Sequence, residues 1–579
     1  MTETISHHLA QAAALTPDET AFTFVDHSAD TRGVASSLTW HELDERVRRT
    51  ARALRCADTA GERVAVVAPQ SLEYVVGFLA AACAGAIAVP LFPPSLPGHE
   101  EKLVAVLRDA SPRFLLTVEE QRKPLMEFCA AHGMSADFRV VTEQELARNS
   151  AGLREDFDEP LPDDVAYLQY TSGSTRIPSG VAITHANVCI NARQALDAYD
   201  IRRGRNCTVG WLPLYHDMGL VSTIAMPVIG HLPSVLMDPL AFIQQPVRWL
   251  RLLTRHHGAF TAAPNFAYDY CVQRVDAEER AELSLESVAA MVNGSEPIVS
   301  RTLERFQTAF APVGMRRTTM RPSYGLAEAT VFVCASPAGE EPAVTPFDRQ
   351  ALGEGTARTL DSSDDRVMVE LVGCGRPTGQ EMAIVDPATG RRREDGVIGE
   401  IWLRGPNIGR GYWNHHEQSE AVFHAVLDGD DPTEPWLRTG DLGVWHDKQL
   451  YVTGRLKDLV IIDGTNHYPH DIEETVQSAH PAIRPHHIAA FSLSGDDGER
   501  LAVVAEHARD VTGSQELAQE VTRAVRSAVA ARHGVAVHHF VLAPPGSVPR
   551  TTSGKVARSA CRDQYLAGAW ADGTGAWNR

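Results

Sequence analysis

The chain has 579 residues and is acidic, with 54 Lys+Arg against 74 Asp+Glu and a formal charge of -20. At roughly 100–200 residues per domain this length predicts several folding units, and a hydrophobic content of 44% supplies an ordinary core. The negative balance excludes broad nucleic-acid binding, which needs basic surface to neutralise phosphates, but it leaves room for a nucleotide site with a few local donors.

The N-terminal Met1–Ala14 lacks the charged-then-apolar pattern of a secretory signal. Nine cysteines are scattered with no CxxC pair and no compact His/Cys cluster. Both features predict reduced thiols in a cytoplasmic protein rather than a disulfide framework or a zinc site. Helical periodicity over Leu38–Arg55 follows Ser36–Ser37, and Arg63–Ala68 reads as a short buried strand. Leu72–Ala84 and Ala86–Leu91 read as a buried helix and a buried strand. They fall within the uncharged stretch Tyr74–Pro94 and its flank, which is too rich in Ala, Gly and Pro to span a membrane; Gly219–Met237 is rejected as a span on its Gly and Pro. Further strands are expected at Phe114–Thr117, Phe138–Val141 and Asp164–Tyr170, with a helix from Asn187. Short apolar strands alternating with helices predict an α/β body with parallel sheets covered on both faces.

The tail changes character. His487–Leu493 and Leu501–His507 are strand-like and flank the polar turn Ser494–Arg500; an amphipathic helix (Gln515–Arg532) and a strand (Val535–Leu542) follow. This predicts a small α+β cap after a large body: residues 1–453 as the body, 454–458 as a hinge and 459–579 as the cap.

The segment Asp164–His185, DVAYLQYTSGSTRIPSGVAITH, carries the most information. Its strand ends in Thr171, Ser172, Gly173, Ser174 and Thr175, a run of hydroxyls and glycine that offers backbone and side-chain donors to a phosphate chain. Alone, such a loop is usually only flexible, and no Walker GxxxxGK[ST] occurs. Six further signals follow in order: Asn293–Pro297 (NGSEP), Tyr324–Thr330 (YGLAEAT), Gly399–Gly405 (GEIWLRG), Trp436–Gly443 (WLRTGDLG), Gly454–Asp458 (GRLKD) and Pro549–Lys555 (PRTTSGK).

This ordered set resembles the adenylate-forming superfamily of acyl-CoA ligases, luciferases and peptide-synthetase adenylation domains. It is most similar to the fatty acyl-AMP ligases. Ser179 stands where CoA ligases usually carry Lys; Trp211–Leu220 (WLPLYHDMGL) and Ala262–Asp269 (AAPNFAYD) match that branch, and Pro337–Val372 resembles its inserted segment before Gly373–Pro377. The resemblance implies ATP and Mg²⁺ as cofactors, and activation of a fatty acid to its acyl-adenylate with release of pyrophosphate. Transfer would follow to the phosphopantetheine thiol of an acyl carrier protein or synthase supplied in trans, rather than to CoA.

The resemblance also implies roles. Thr171–Thr175 would cradle the triphosphate, Glu328 would help hold Mg²⁺, and Asp441 and Arg455 would contact the ribose. Gly294, Ser295, Glu296 and Pro297, with Ser323, Tyr324, Gly325, Leu326 and Ala327, would line the adenine slot. Lys555, carried in on the cap, would bridge carboxylate and phosphate, and Lys457 would be the hinge about which the cap turns. His216, beside Asp217, would orient the carboxylate, although a packed histidine bonded to a backbone carbonyl is the commoner fate of a lone His. Ala262, Ala263, Phe266, Ala267, Met291 and Val221–Val228 are candidate acyl-pocket walls, with ordinary core packing an equal reading. The inserted segment would restrain the cap and enforce rejection of CoA, or else be a surface loop. One departure stands out: where the branch usually reads Gly-Arg-Asn-His-Tyr-Pro, this chain has Thr465 in the place of the Arg. The rival expectations are an acyl-CoA ligase, a ligase for a non-fatty carboxylic acid, and an idle homologue.

Overall fold

The computed structural model describes residues 3–96, 98–149, 159–171, 179–361, 364, 366–462, 464–495, 498–511, 514–551 and 554–570. Among them, two mostly parallel sheets form the body. A six-stranded sheet runs in the order Arg139–Thr142, Phe114–Thr117, Arg63–Val67, Ile87–Leu91, Val165–Tyr170 and Gly180–Thr184. All neighbours are parallel except the last pair. A nine-stranded sheet has a parallel centre (Met320–Gly325, Ala290–Asn293, Ala259–Ala263, Cys207–Gly210, Ser234–Met237, Thr20–Asp26) and antiparallel edges. The wholly buried strands Ile87–Leu91 and Ala259–Ala263 explain the continuous apolar runs, because helices cover both faces of such sheets.

The helices begin where local chemistry tells them to. Thr184 and Asn187 form a reciprocal capping box, so the helix runs His185–Ala198 and starts two residues earlier than its apolar pattern suggests. The helix Trp40–Cys56 likewise starts on a Thr39–Glu42 box, with Val34–Thr39 ahead of it extended as an edge strand. The strands expected at Phe114–Thr117 and Asp164–Tyr170 are in place to within a residue, the second running Val165–Tyr170.

The body also carries a sheet that is not parallel. Glu381–Val385, Gly399–Arg404, Leu437–His446 and Gln449–Arg455 form a four-stranded antiparallel sheet, so two of the sequence signals lie on hairpin partners. Beyond it the chain makes a short 3-10 turn at Leu456–Asp458 and enters the C-terminal α+β cap. There the strands Ile483–Gly495, Gly498–His507 and Val537–Ala543 form one sheet, with the helices Pro469–Ala479 and Gln515–His533 packed on it through Ile472, Val476, Val521, Val525 and Val529.

The inserted segment is folded where it is described. Val344–Asp348 pairs with Met368–Val372, and a helical turn at Arg349–Gly353 sits between them. Phe347, Leu352 and Leu371 join Leu442, Val444 and Tyr451 of the body and Tyr468 of the cap in one apolar cluster. Arg349 bonds Asp471 of the cap, Tyr468 donates its hydroxyl to the Leu352 carbonyl at 3.3 Å, and Thr465 lies so close to Gly353 that a Cβ there would stand 2.8 Å from its methyl.

Candidate active site

A cavity of about 960 Å³ lies between body and cap and gathers residues of every described signal except Gly399–Gly405. Thr171, Gly294, Ser295, Glu296, Pro297, Ser323, Tyr324, Gly325, Leu326, Ala327, Glu328, Asp441, Arg455, Lys457 and Lys555 all line it. Ser172, Gly173, Ser174 and Thr175 lie outside the described residues.

Asp441 and Arg455 are 14 residues apart in sequence but directly opposed in the antiparallel pair, which places Arg455 Nε 3.0 Å from Asp441 Oδ1. The other carboxylate oxygen accepts from the Tyr324 hydroxyl at 2.8 Å. Tyr324 sits on the strand Met320–Gly325, where Gly325 is obligatory: a Cβ would stand 1.8 Å from the Val331 carbonyl oxygen. Ser295 adopts φ +69°, a left-handed conformation that non-glycine residues keep chiefly where the surroundings enforce it, often at functional sites. Glu296 beside it accepts from the Phe266 backbone N–H at 2.6 Å.

Glu328 accepts from the Tyr412 hydroxyl at 2.7 Å, and the surrounding protein pushes its carboxyl up despite Tyr412 and nearby Arg455. Among the described residues no three ligating side chains form a metal cage. A single carboxylate facing a phosphate-sized cavity nevertheless fits Mg²⁺, which keeps several waters and is held by one or two carboxylates plus substrate phosphates.

His216 caps the short helix Asp217–Leu220 and lines the cavity, with Nδ1 2.7 Å from Asp217 Oδ1. It is therefore engaged with a carboxylate, not with a backbone carbonyl. Burial alone would raise the Asp217 carboxyl, but His216 and the Lys555 charge override it and hold it down at about 2. Burial pushes the Lys555 ammonium down, with Asp217, Glu296 and Asp441 opposing that and Arg455 reinforcing it. The cap is thus seated with Lys555 inside the body's acidic cavity.

The apolar wall differs from expectation. Ala263, Ala267 and Met291 are fully buried core residues that do not reach the cavity, and Phe266 packs beside Trp211 and faces Gly554. Of the expected walls, Ala262, Val221 and Met226 line it, joined by Tyr199, Phe260 and Phe332. A strand's inward and outward faces alternate, so the choice between Ala262 and Ala263 depended on which face the cavity occupies. Tyr199 and Tyr412 were missed, because neither lies in a signal that points to chemistry on its own. Ser179 lines the cavity, and its carbonyl accepts from the Thr171 N–H at 3.3 Å.

Comparison with known proteins agrees with this geometry. Residues 9–413 match the AMP-binding enzyme family, and residues 457–572 match the AMP domain of Disco-interacting protein 2-like proteins. The chain is 40% identical to the long-chain-fatty-acid–AMP ligase FadD32 of Mycolicibacterium smegmatis, over 97% of this chain and 94% of that one. It is 41% identical to FadD26 of Mycobacterium bovis (96% of each chain) and 39% identical to a 4-hydroxyphenylalkanoate adenylyltransferase of Mycobacterium tuberculosis (96% and 91%). A solved structure from work on fatty acyl-adenylate ligases of E. coli and L. pneumophila superposes with a TM-score of 0.87 at 31% identity, covering 98% of both chains. The L. pneumophila fatty acyl-adenylate ligase in complex with acyl adenylate and pyrophosphate gives 0.74 at 30% identity, covering 97% and 96%. The chain belongs to the AMP-binding, adenylate-forming enzymes, in the fatty acyl-AMP ligase branch. No helix among the described residues is long and apolar enough to cross a membrane.

Proposed function

We propose that the protein activates a fatty acid as its acyl-adenylate with ATP and passes the acyl group to the phosphopantetheine thiol of a carrier protein or synthase in trans. The observation that carries this reading is the seating of Lys555 opposite Asp217, Glu296 and the Asp441–Arg455 pair, within one cavity that continues along Val221, Met226, Phe260 and Ala262. In adenylation a carboxylate oxygen attacks the α-phosphorus of ATP, the bond to the bridging oxygen breaks, and pyrophosphate leaves. Such a step depends mainly on positioning and on stabilising charge. Lys555 neutralises carboxylate and phosphate as they meet, His216 orients the carboxylate, and Asp441 and Arg455 hold the ribose. Tyr324 and the Gly294–Pro297 turn bound the adenine, while Thr171 begins the loop that takes the triphosphate. Glu328 would hold Mg²⁺, which supplies charge neutralisation on the phosphates. The apolar wall favours an aliphatic chain at about 0.8 kcal/mol per buried CH₂.

In the second half-reaction the carrier's thiol attacks the acyl carbonyl and AMP leaves. Residues 454–458, with Lys457 exposed at the turn, serve as the hinge that brings another cap face to the site. The inserted segment, bonded to the cap through Arg349 and Leu352, restrains that motion and disfavours CoA. An aryl-alkanoate is a second reading, favoured by the 39% identical 4-hydroxyphenylalkanoate adenylyltransferase. Mass spectrometry of products from enzyme, ATP, Mg²⁺, CoA and a mixture of fatty and 4-hydroxyphenylalkanoic acids tests both. Acyl-AMP without acyl-CoA supports the proposal and names the acid; abundant acyl-CoA overturns the acceptor assignment, and no adenylate overturns the activity.

A further inference from the structure

The signal Ala262–Asp269 ends in an aspartate for which the adenylation reading has no use. Asp269 lies on the helix Asn265–Arg274, is only 2% exposed, and reaches the cavity wall. Its Oδ1 takes Arg305 Nη2 at 2.8 Å and its Oδ2 accepts from the Thr302 hydroxyl at 2.8 Å, both from the adjacent helix Ser300–Phe310. These two partners already satisfy a buried carboxylate within the body. The cap brings a third group close: His486 Nε2 stands 3.3 Å from Asp269 Oδ2, within ion-pair distance but without hydrogen-bond geometry.

His486 sits where the pairing register of the strand Ile483–Gly495 breaks, with φ +60°, and its N–H donates to Gln477 Oε1 at 2.7 Å. Its carbonyl accepts from Arg550, and Arg550 Nη1 donates to the Gly554 carbonyl at 2.6 Å, one residue before Lys555. The loop is closed by Thr551, whose N–H donates to the Lys555 carbonyl at 2.8 Å and whose hydroxyl accepts from the Lys555 N–H at 3.2 Å. The buried body carboxylate thus faces His486 at ion-pair distance, and hydrogen bonds run on from His486 through Arg550 to the backbone that presents Lys555.

We propose that Asp269 is a positioning residue for adenylate formation: through His486 and Arg550 it sets the cap loop that carries Lys555. A left-handed non-glycine residue is strained and persists where its surroundings hold it. At His486 those surroundings are Gln477 and Arg550 in the cap and Asp269 in the body. The contact exists only with the cap seated as here, and a misplacement of about 1 Å at a reacting centre can cost on the order of 100-fold in rate. The proposal rests on the reading of Lys555 as the residue that meets carboxylate and phosphate.

The test is fatty-acid-dependent ATP–pyrophosphate exchange by the full chain, with thermal melting alongside, for Asp269→Asn, His486→Asn and the double variant. Asparagine tolerates the left-handed backbone at position 486 but is too short to reach Asp269. We expect each single variant to lose roughly 10- to 100-fold in kcat, with KM for ATP little changed, and the double variant to be no worse than the weaker single. His486→Asn decides the matter even if Asp269→Asn fails to fold, because His486 is partly exposed and outside the body core. Wild-type exchange in His486→Asn, or losses that multiply in the double variant, would overturn the proposal and leave Asp269 as a packing residue. Wild-type enzyme that shows no exchange with any acid would instead overturn the assigned activity.

Discussion

Arg349 is the side chain by which the inserted segment grips the cap, and Arg349→Met isolates that grip. Arg349 and Asp471 bond directly, and each side chain is only 12% exposed. Arg349 Nη1 also lies 3.2 Å from His533 Nδ1, and His533 Nε2 lies 2.7 Å from the Thr475 hydroxyl. Burial, with the Arg349 and Arg532 charges, pushes His533 down to about 3, so this imidazole is neutral near neutral pH. Methionine keeps the apolar stem but leaves Asp471 buried without its cation, a loss of about 3–5 kcal/mol for breaking a buried pair. At about 1.4 kcal/mol per decade, the ratio of docked to undocked cap falls by about two to three and a half powers of ten. Limited proteolysis across residues 454–458, run beside product analysis with CoA present, reads the effect. We expect faster cleavage and new acyl-CoA. Unchanged cleavage and product would refute the restraint.

Lys457→Pro stiffens the turn at Leu456–Asp458. Adenylate formation should survive while transfer from enzyme-bound acyl-AMP to a carrier thiol collapses, and an equal loss of both half-reactions would remove the hinge assignment. Asp217, held at about 2 against an ordinary 3.8, contributes stability that is present above pH 3.8 and lost as pH falls towards 2. The difference is roughly 2 kcal/mol. Asp217→Asn should therefore melt less steeply with acid between pH 4 and 2 than the parent, and superimposable acid profiles would show that the His216–Asp217 pairing is not what depresses the carboxyl.

Much of the chemistry was written locally. A strand running into Thr171, the NGSEP and YGLAEAT signals, the TGD of Thr439–Asp441 and the terminal Lys555 appear in one order, and that order alone pointed to adenylate formation. Helix starts such as Thr184–Asn187 and the apolar strands were legible for the same reason: capping and burial patterns are set by residues a few positions apart. What tertiary structure decided were the meetings between distant side chains. Tyr412 supports Glu328 from 84 residues away, His486 reaches Asp269 across the cap–body seam, and Arg349 joins the insertion to Asp471. The same packing decided that Ala262 lines the cavity while Ala263 is sealed in the core. Neighbouring residues announce their element through periodicity and turn chemistry. Which faces then come together depends on how twisted sheets and a separate cap pack, and that packing leaves no periodic mark on the chain.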